Sequence, residues 1–241
     1  MKRILFLSAL LLAVFSCNRS RTQFYEDDLV LPLGAGSADS LHLSVSLEYL
    51  SAGLSPEAAA AINGSIAAQA FDLEDLSGSI EECGILYREN LIDLYLSENA
   101  GGEGLCTWED QIDGSFLADW KRNKVYVLTY YSFRGGAHGI MTQTCLVFDP
   151  KTGAQLSEDD LFREGYREPL AKLLQENLTR SLAEDGSWPD MLFTDQVVPN
   201  GNFLPDAQGV TWFYQPYEAG PYALGILAAG ATWAELKPYL K

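Results

Sequence analysis

The sequence predicts an α+β fold, in which a mainly antiparallel sheet carries helices packed on one face and the chain forms two interlocked subdomains. Three observations support this class. Residues 41–50 alternate apolar and polar side chains, as a half-buried strand does, and two segments of helical periodicity follow them. From residue 105 onwards the period falls to two, which is typical of a meander of short strands. An amphipathic helix and a closing hairpin complete the chain.

The first half of the chain contains the alternating strand and two helices. Ser55, Pro56 and Glu57 mark a helix start, because serine caps a first turn, proline fits its first position and an early acid complements the helix dipole. A second helix is predicted over residues 80–98, and the Ala-Gly-Gly sequence that follows marks its end. Its predicted buried stripe consists of Ile85, Leu86, Leu91, Ile92 and Tyr95.

The second half is predicted to be rich in antiparallel strands. A proline and a glycine, each placed where turn chemistry favours it, predict a turn at residues 149–153. The strands are predicted over residues 107–120, 124–133, 140–148, 203–205, 209–214 and 224–229, and the helices begin at Ser157, Glu168 and Thr232.

The N-terminus has the pattern of a bacterial signal peptide. Lys2 and Arg3 precede an apolar run over residues 4–15, which is too short to span a bilayer. The Val-Phe-Ser-Cys sequence that ends at Cys17 resembles a lipobox, which predicts a signal peptide over residues 1–16 and acylation of this cysteine. We therefore expect a lipid-anchored extracytoplasmic protein of the bacterial envelope, periplasmic or at the cell surface. An ordinary secretory leader that ends near a cysteine is the alternative.

Residues 17–39 are predicted to be a tether between membrane and domain, with a short strand near Phe24. The folded part keeps three cysteines, Cys83, Cys106 and Cys145, so at most one internal disulfide can form. Three buried thiols and one bridge plus one thiol both fit this number, and buried thiols are favoured.

The charge of the chain restricts its partners. Acidic residues outnumber basic ones 33 to 16, and the formal net charge is −17. This argues against nucleic acid, whose phosphates need a basic patch, and favours solubility, cations or a basic partner. Two distant histidines and the lack of a spaced cysteine or aspartate cluster predict neither a metal site nor a cofactor.

Five short segments of the second half, in order, resemble the C-terminal domain of RsiV-like proteins. They are FRGGAHG (133–139), FDPKTG (148–153), Leu161-Phe162, FYQPYEAGPYA (213–223) and WAEL (233–236). The resemblance assigns residues 104–241 to that domain and residues 40–103 to the smaller partner domain found in the deacetylase PdaC. It implies an envelope receptor domain, since RsiV binds lysozyme. The chain lacks the sigma-binding segment of RsiV and the deacetylase domain of PdaC, so neither activity carries over.

The candidate ligand-binding residues lie in two loops of this domain. Gly135, Gly136 and His138 belong to a glycine-bracketed turn, and Tyr217, Glu218 and Tyr222 to a proline-rich loop whose aromatic rings suit sugar stacking or a protein interface. The leading hypothesis is a non-enzymatic binding domain for a lysozyme-like protein or for peptidoglycan. A structural role in an envelope complex is a further alternative.

The opposing hypothesis is a cell-wall hydrolase centred on His138. This histidine would act as general base, with Ser132 or Ser157 as nucleophile and Asp149 as the orienting carboxylate. No G-x-S-x-G elbow accompanies these residues. A structural role, in which the imidazole stabilises the glycine turn, is therefore favoured over catalysis.

Overall fold

The computed structural model describes residues 20–34, 37–72, 78–100, 106–193 and 197–241. The predicted signal peptide and Cys17, the predicted acylation site, lie outside these ranges. Within them, no helix combines the length and the apolar character that crossing a membrane requires.

The described residues form eight strands and five helices in an α+β arrangement, as predicted. In chain order they are β1 (Arg21–Pro32), β2 (Ser40–Ala52), α1 (Pro56–Phe71), α2 (Ile80–Glu98), β3 (Trp108–Phe116), β4 (Lys124–Phe133), β5 (Ile140–Phe148), α3 (Glu158–Leu161), α4 (Arg167–Glu184), β6 (Phe203–Pro205), β7 (Gly209–Tyr214), β8 (Leu227–Thr232) and α5 (Trp233–Leu236).

Two sheets contain all eight strands. The larger has the order β1-β2-β3-β4-β5, and the smaller has the order β6-β7-β8. All pairings are antiparallel except that of β2 with β3, which is parallel because α1 and α2 form the crossover between these strands. The boundary predicted at residue 103 lies outside the described ranges, and β2 and β3 on either side of it belong to one sheet.

The predicted tether is wrong for residues 21–32, which form β1 instead of a flexible segment or a short strand. β1 pairs with β2 along its whole length. Its inward side chains include Asp27 between Tyr25 and Leu29, and this acid interrupts the apolar alternation that identifies a strand. Arg88 on α2 forms a 2.7 Å ion pair with Asp27 and so compensates it, at a separation of 61 residues that no local pattern reveals.

One face of the large sheet packs against α1 and α2. The predicted stripe of α2 is wrong at Ile85 and Leu86, which are 53% and 46% exposed. The face of α2 that contacts the sheet is centred instead near Gly84. The ring of Tyr25 lies so close to Gly84 that a Cβ at this position would clash with it. The buried residues of α2 are Ile80, Cys83, Gly84, Leu91 and Tyr95.

The opposite face of β4 and β5 belongs to a second core. Val125 and Val147 point there, whereas their neighbours Tyr126 and Leu146 point to the first core. The small sheet and α4 cover this second face, with Trp212 fully buried at its centre. β4 and β5 therefore serve both cores, and this sharing locks the two parts of the chain together. Cys83 and Cys145 are buried and Cys106 is half-buried, and all three are free thiols.

Candidate ligand-binding surface

Three of the sequence-predicted ligand residues meet on the surface. The imidazole of His138 stacks on the ring of Tyr222 with centroids 3.7 Å apart and an angle of 18° between their planes. The ring of Tyr217 lies 5.7 Å from that of Tyr222. We call this group of His138, Tyr217 and Tyr222 the aromatic platform. Its members come from two loops that are 79 residues apart in sequence.

The loop between β4 and β5 presents His138 to solvent. Gly135 and Gly136 have φ angles of +91° and +95°, in the region that disfavours other residues. A Cβ on Gly135 would also lie 2.9 Å from the Sγ of Cys106. These glycines therefore shape the loop through their backbone, which is their contribution to the surface.

A hydrogen-bond network defines the tautomer of His138. The carbonyl of Gly139 accepts from the Tyr222 hydroxyl at 2.7 Å and lies 3.0 Å from His138 Nδ1. Because a carbonyl only accepts, Nδ1 carries the proton in the neutral ring. The opposite nitrogen, Nε2, then accepts from the Tyr217 hydroxyl at 3.4 Å, which is a long and weak hydrogen bond.

Tyr217 occupies the third position of a β-turn that holds it in an unfavourable conformation. Pro216 precedes it, and the N–H of Glu218 donates to the carbonyl of Gln215 at 3.0 Å, as in a type II turn. The third position of that turn needs positive φ and usually holds glycine, yet Tyr217 has a φ of +72° there and its side chain is 55% exposed. Because an exposed ring contributes little to packing, the strain at Tyr217 indicates a functional role for this residue.

Glu218 supports this turn and is less available to a ligand than the sequence suggested. Its carboxylate accepts from the backbone N–H of Gln215 at 2.7 Å and from Asn200 Nδ2 at 2.8 Å. Both carboxylate oxygens are thus engaged within the protein. Glu218 positions Tyr217, and the two tyrosines with His138 form the accessible surface.

The side-chain amide of Gln215 fixes this loop to the outer edge of β5. Its Oε1 accepts from the N–H of Gln143 at 3.0 Å, and its Nε2 donates to the carbonyl of the same residue at 2.7 Å. Asn202 makes an equivalent pair of hydrogen bonds to β5. Its Oδ1 accepts from the N–H of Cys145, and its Nδ2 donates to the carbonyl of Gln143. The two amides imitate an additional strand, and Gln215 fixes the Tyr217 loop to the strand that follows the His138 loop.

The structure does not bring together the residues of the predicted hydrolase. His138 precedes β5 and Asp149 follows it, so the nine residues of this strand separate them by roughly 30 Å. The carboxylate of Asp149 accepts instead from the backbone N–H of Lys151 in the following turn. The Ser157 hydroxyl donates to Asp160 at 2.9 Å, in the capping box of α3. Neither serves the imidazole as orienter or nucleophile.

The hydroxyl of Ser132, the other predicted nucleophile, belongs to a buried polar cluster that sequence reasoning missed. Asp110 is fully buried, and its carboxylate accepts from Ser132 at 2.6 Å, from Tyr87 at 2.7 Å and from Tyr130 at 3.2 Å. Arg134 adds a 2.8 Å ion pair. The signal in the sequence is the acidic residue at an inward position of β3, between Trp108 and Ile112, where alternation calls for an apolar side chain.

The environment of this cluster changes its proton affinities. Burial, followed by the negative charge of Asp110, raises the pKa of Tyr87 far above its usual range. The pKa of Arg134 is also raised, because the ion pair and charge of Asp110 outweigh the opposing effect of burial. The tyrosine is therefore a neutral donor and the arginine a permanent cation at neutral pH. Across the described ranges, no group of three or more histidine, cysteine or carboxylate side chains is placed to hold a metal ion.

Comparisons with known proteins show similarity to one family of unknown function and to solved structures of the same fold. Residues 159–229 match the family model described as a protein of unknown function, DUF3298. A crystal structure of a DUF3298 family member from Bacteroides fragilis NCTC 9343 superposes with a TM-score of 0.80 at 21% identity, covering 92% of this chain and 94% of that one. A DUF3298 family protein from Pseudomonas aeruginosa PAO1 gives a TM-score of 0.69 at 16% identity, covering 92% and 95%. No curated protein matched the sequence.

Proposed function

We propose that this chain is a lipid-anchored, extracytoplasmic binding domain of the bacterial cell envelope that captures a basic protein such as a lysozyme. The aromatic platform carries this proposal. Tyrosine rings are common anchors of protein interfaces, because they bury a large area at small entropic cost. The ring of Tyr217 is exposed, and that of Tyr222 is half-buried and fixed by its hydrogen bond to the Gly139 carbonyl. The strained backbone of Tyr217 supports the same function, because strained residues are concentrated at binding and catalytic sites.

Segments next to the platform loops also expose apolar side chains. Met141 on β5 is 48% exposed, and Phe193 is 45% exposed. The backbone N–H of Phe193 donates to the carbonyl of Ala219 at 2.9 Å, which places this phenylalanine against the Tyr217 loop. An aromatic centre with apolar neighbours is the composition expected of the core of an interface.

The charge of the surrounding segments favours a cationic partner. Between Arg180 and Lys237 the sequence has seven acidic residues and neither lysine nor arginine. Between Arg134 and Lys151 it has Asp149 alone as a charged residue. Arg134 is thus the one lysine or arginine of the two platform loops, and its charge is paired with that of Asp110. Complementary charge accelerates association with a basic protein and makes it sensitive to salt.

The resemblance to RsiV-like and PdaC-like domains supports the same proposal. In RsiV this kind of domain binds lysozyme, and the DUF3298 match at residues 159–229 includes Tyr217 and Tyr222. The lipobox-like sequence ending at Cys17 supports anchoring, and an anchored receptor has access to a partner outside the cytoplasm.

Binding of the detergent-solubilised protein to immobilised lysozyme, at low and moderate salt, tests the proposal. Tyr217→Ala is expected to weaken binding by about 10- to 30-fold, the range of an interface anchor. Phe24→Ala is the matched control, because Phe24 on β1 is 53% exposed, close to the 55% of Tyr217. It should leave binding unchanged.

A basic protein of unrelated fold and purified peptidoglycan serve as additional ligands. Equal binding to the unrelated protein would reduce the interaction to net charge. Binding to peptidoglycan alone, lost in Tyr217→Ala, would reassign the platform to glycan. If neither lysozyme nor peptidoglycan binds, the proposed function is wrong.

A further inference from the structure

A groove lies on the face of the large sheet that α1 and α2 leave partly uncovered. Its volume is about 680 Å³, within the range of roughly 300–1,000 Å³ that is common for sites of small ligands. Phe71, Leu91, Leu94 and Leu128 supply apolar walls. Tyr87, Tyr130, Ser132 and Arg134, which surround Asp110, also line it. The groove thus combines apolar sides with one polar region.

The hydrogen-bond directions in that polar region are determined by Asp110. The hydroxyls of Tyr87, Tyr130 and Ser132 all donate to its carboxylate. A hydroxyl has one hydrogen and two lone pairs, so these three oxygens are left as acceptors toward the groove. A ligand must therefore bring O–H or N–H donors to this part of the site.

Arg134 supplies the complementary donors. Within the described residues, the guanidinium donates through Nη2 alone, to Asp110 at 2.8 Å and to the Tyr130 hydroxyl at 3.5 Å. The Nε and Nη1 groups remain available to a ligand, and the side chain is 37% exposed. The ion pair, together with the Trp108 ring 5.4 Å from the guanidinium carbon, holds this donor set in place.

Charge decides which ligand suits this pattern. The positive charge of Arg134 is balanced by Asp110, Asp72 also lines the groove, and the whole chain carries −17. An anion therefore meets no net positive potential. A cation would have to approach the guanidinium, which repels it. A neutral molecule with several hydroxyl groups meets neither obstacle.

We propose that this groove binds a pyranose ring of an uncharged oligosaccharide. Each sugar hydroxyl both donates and accepts, which matches fixed acceptors on Tyr87, Tyr130 and Ser132 beside fixed donors on Arg134. The hydroxyls of Thr142 and Thr144 add adaptable partners along the wall. The apolar face of a sugar ring suits the leucine and aromatic walls. This site is separate from the aromatic platform and independent of the proposed protein ligand.

Isothermal titration of the intact protein in detergent, with an N-acetylglucosamine tetramer and cellotetraose as probes, tests the site. Leu94→Trp narrows the groove from a position that is 40% exposed and outside the Asp110 cluster, and it should abolish binding. Tyr130→Phe removes the hydroxyl with the longest hydrogen bond to Asp110, so the fold is preserved. The loss of one ligand hydrogen bond should weaken binding about five- to tenfold.

Two controls test where the sugar binds and whether the groove prefers an anion. Tyr217→Ala should leave sugar binding intact, and sugar binding lost in that variant would move the glycan to the platform and overturn the proposal. Glucuronate and octanoate serve as the anionic probes. The proposal is also overturned if neither tetramer binds at about 10 mM, if Leu94→Trp has no effect, or if only the anions bind. Thermal melts confirm that each variant is folded.

Discussion

The left-handed backbone of Tyr217 makes a prediction that separates stability from binding. Tyr217→Ala and Tyr217→Gly both remove the ring and its contact with Tyr222, so their difference isolates the backbone. An alanine at a φ of +72° keeps a penalty of about 1–2 kcal/mol that glycine lacks. The greater freedom of glycine in the unfolded chain returns about 0.4–1 kcal/mol of that difference.

The glycine variant is therefore expected to be more stable than the alanine variant by about 1 kcal/mol. For a chain of this size that difference raises the melting temperature by about 2–4 °C, which a thermal scan resolves. Both variants should bind lysozyme equally weakly, because both lack the aromatic ring. Tyr217→Gly would then be more stable than Tyr217→Ala without binding lysozyme better. This result is expected if tyrosine is retained at this position for binding and not for stability.

Lys121 provides the matched control for this pair. It also has a positive φ, +56°, in the tight turn between β3 and β4, and the ten residues of β4 separate this turn from the His138 loop. Lys121→Gly should likewise be more stable than Lys121→Ala, while both bind lysozyme normally. A glycine variant of Tyr217 that melts at or below its alanine counterpart would refute the strain. Full binding by both Tyr217 variants would refute the role of the ring.

Three further predictions concern the interior and the acid response. Asp110→Asn should lower the free energy of unfolding by about 1.5–3 kcal/mol, because Arg134 loses its charged partner. Denaturant titration measures this loss, and an unchanged unfolding midpoint would contradict the prediction. Hydrogen bonds from the backbone and side chain of Ser157 lower the pKa of Asp160, so its contribution to stability is present above the unfolded pKa and is lost as pH falls through the folded one. Asp160→Asn should therefore lose less stability than wild type on acidification below about pH 4, and equal losses would count against the capping box. Burial raises the pKa of Cys145 to about 11, so iodoacetamide at pH 8 should modify it in denatured but not in native protein, as mass spectrometry can show; rapid native labelling would contradict its burial.

Local patterns were sufficient to predict many of the regular elements. The strand over residues 140–148 and the hairpin strand over 209–214 have the predicted bounds, because glycine and proline residues of turns mark both ends of each strand. The α+β class followed from the grouping of such segments. These predictions depend on interactions between residues close in sequence, which is the range over which periodicity and capping act.

The misses share a physical cause, which is compensation over long sequence distances. β1 was not recognised because Asp27 interrupts its alternation, and its partner Arg88 lies on another element. The candidate residues of the surface were named correctly in part, yet the stacking of His138 on Tyr222 depends on two loops that β5 and Gln215 hold together. The Asp110 cluster depends likewise on α2, β3 and β4. A single sequence does not show which distant residue completes such a site.

One short loop serves both proposed surfaces, and its geometry suggests why it is rich in glycine. Arg134 and His138 are four residues apart, yet the first joins the Asp110 cluster on one face of the sheet and the second stacks on Tyr222 beside its outer edge. In a regular strand two side chains at that spacing would point the same way. The positive φ angles of Gly135 and Gly136 break this register and turn the chain between them. The loop can thus supply a cationic donor to the groove and an aromatic ring to the platform, and each surface keeps its own rigid support.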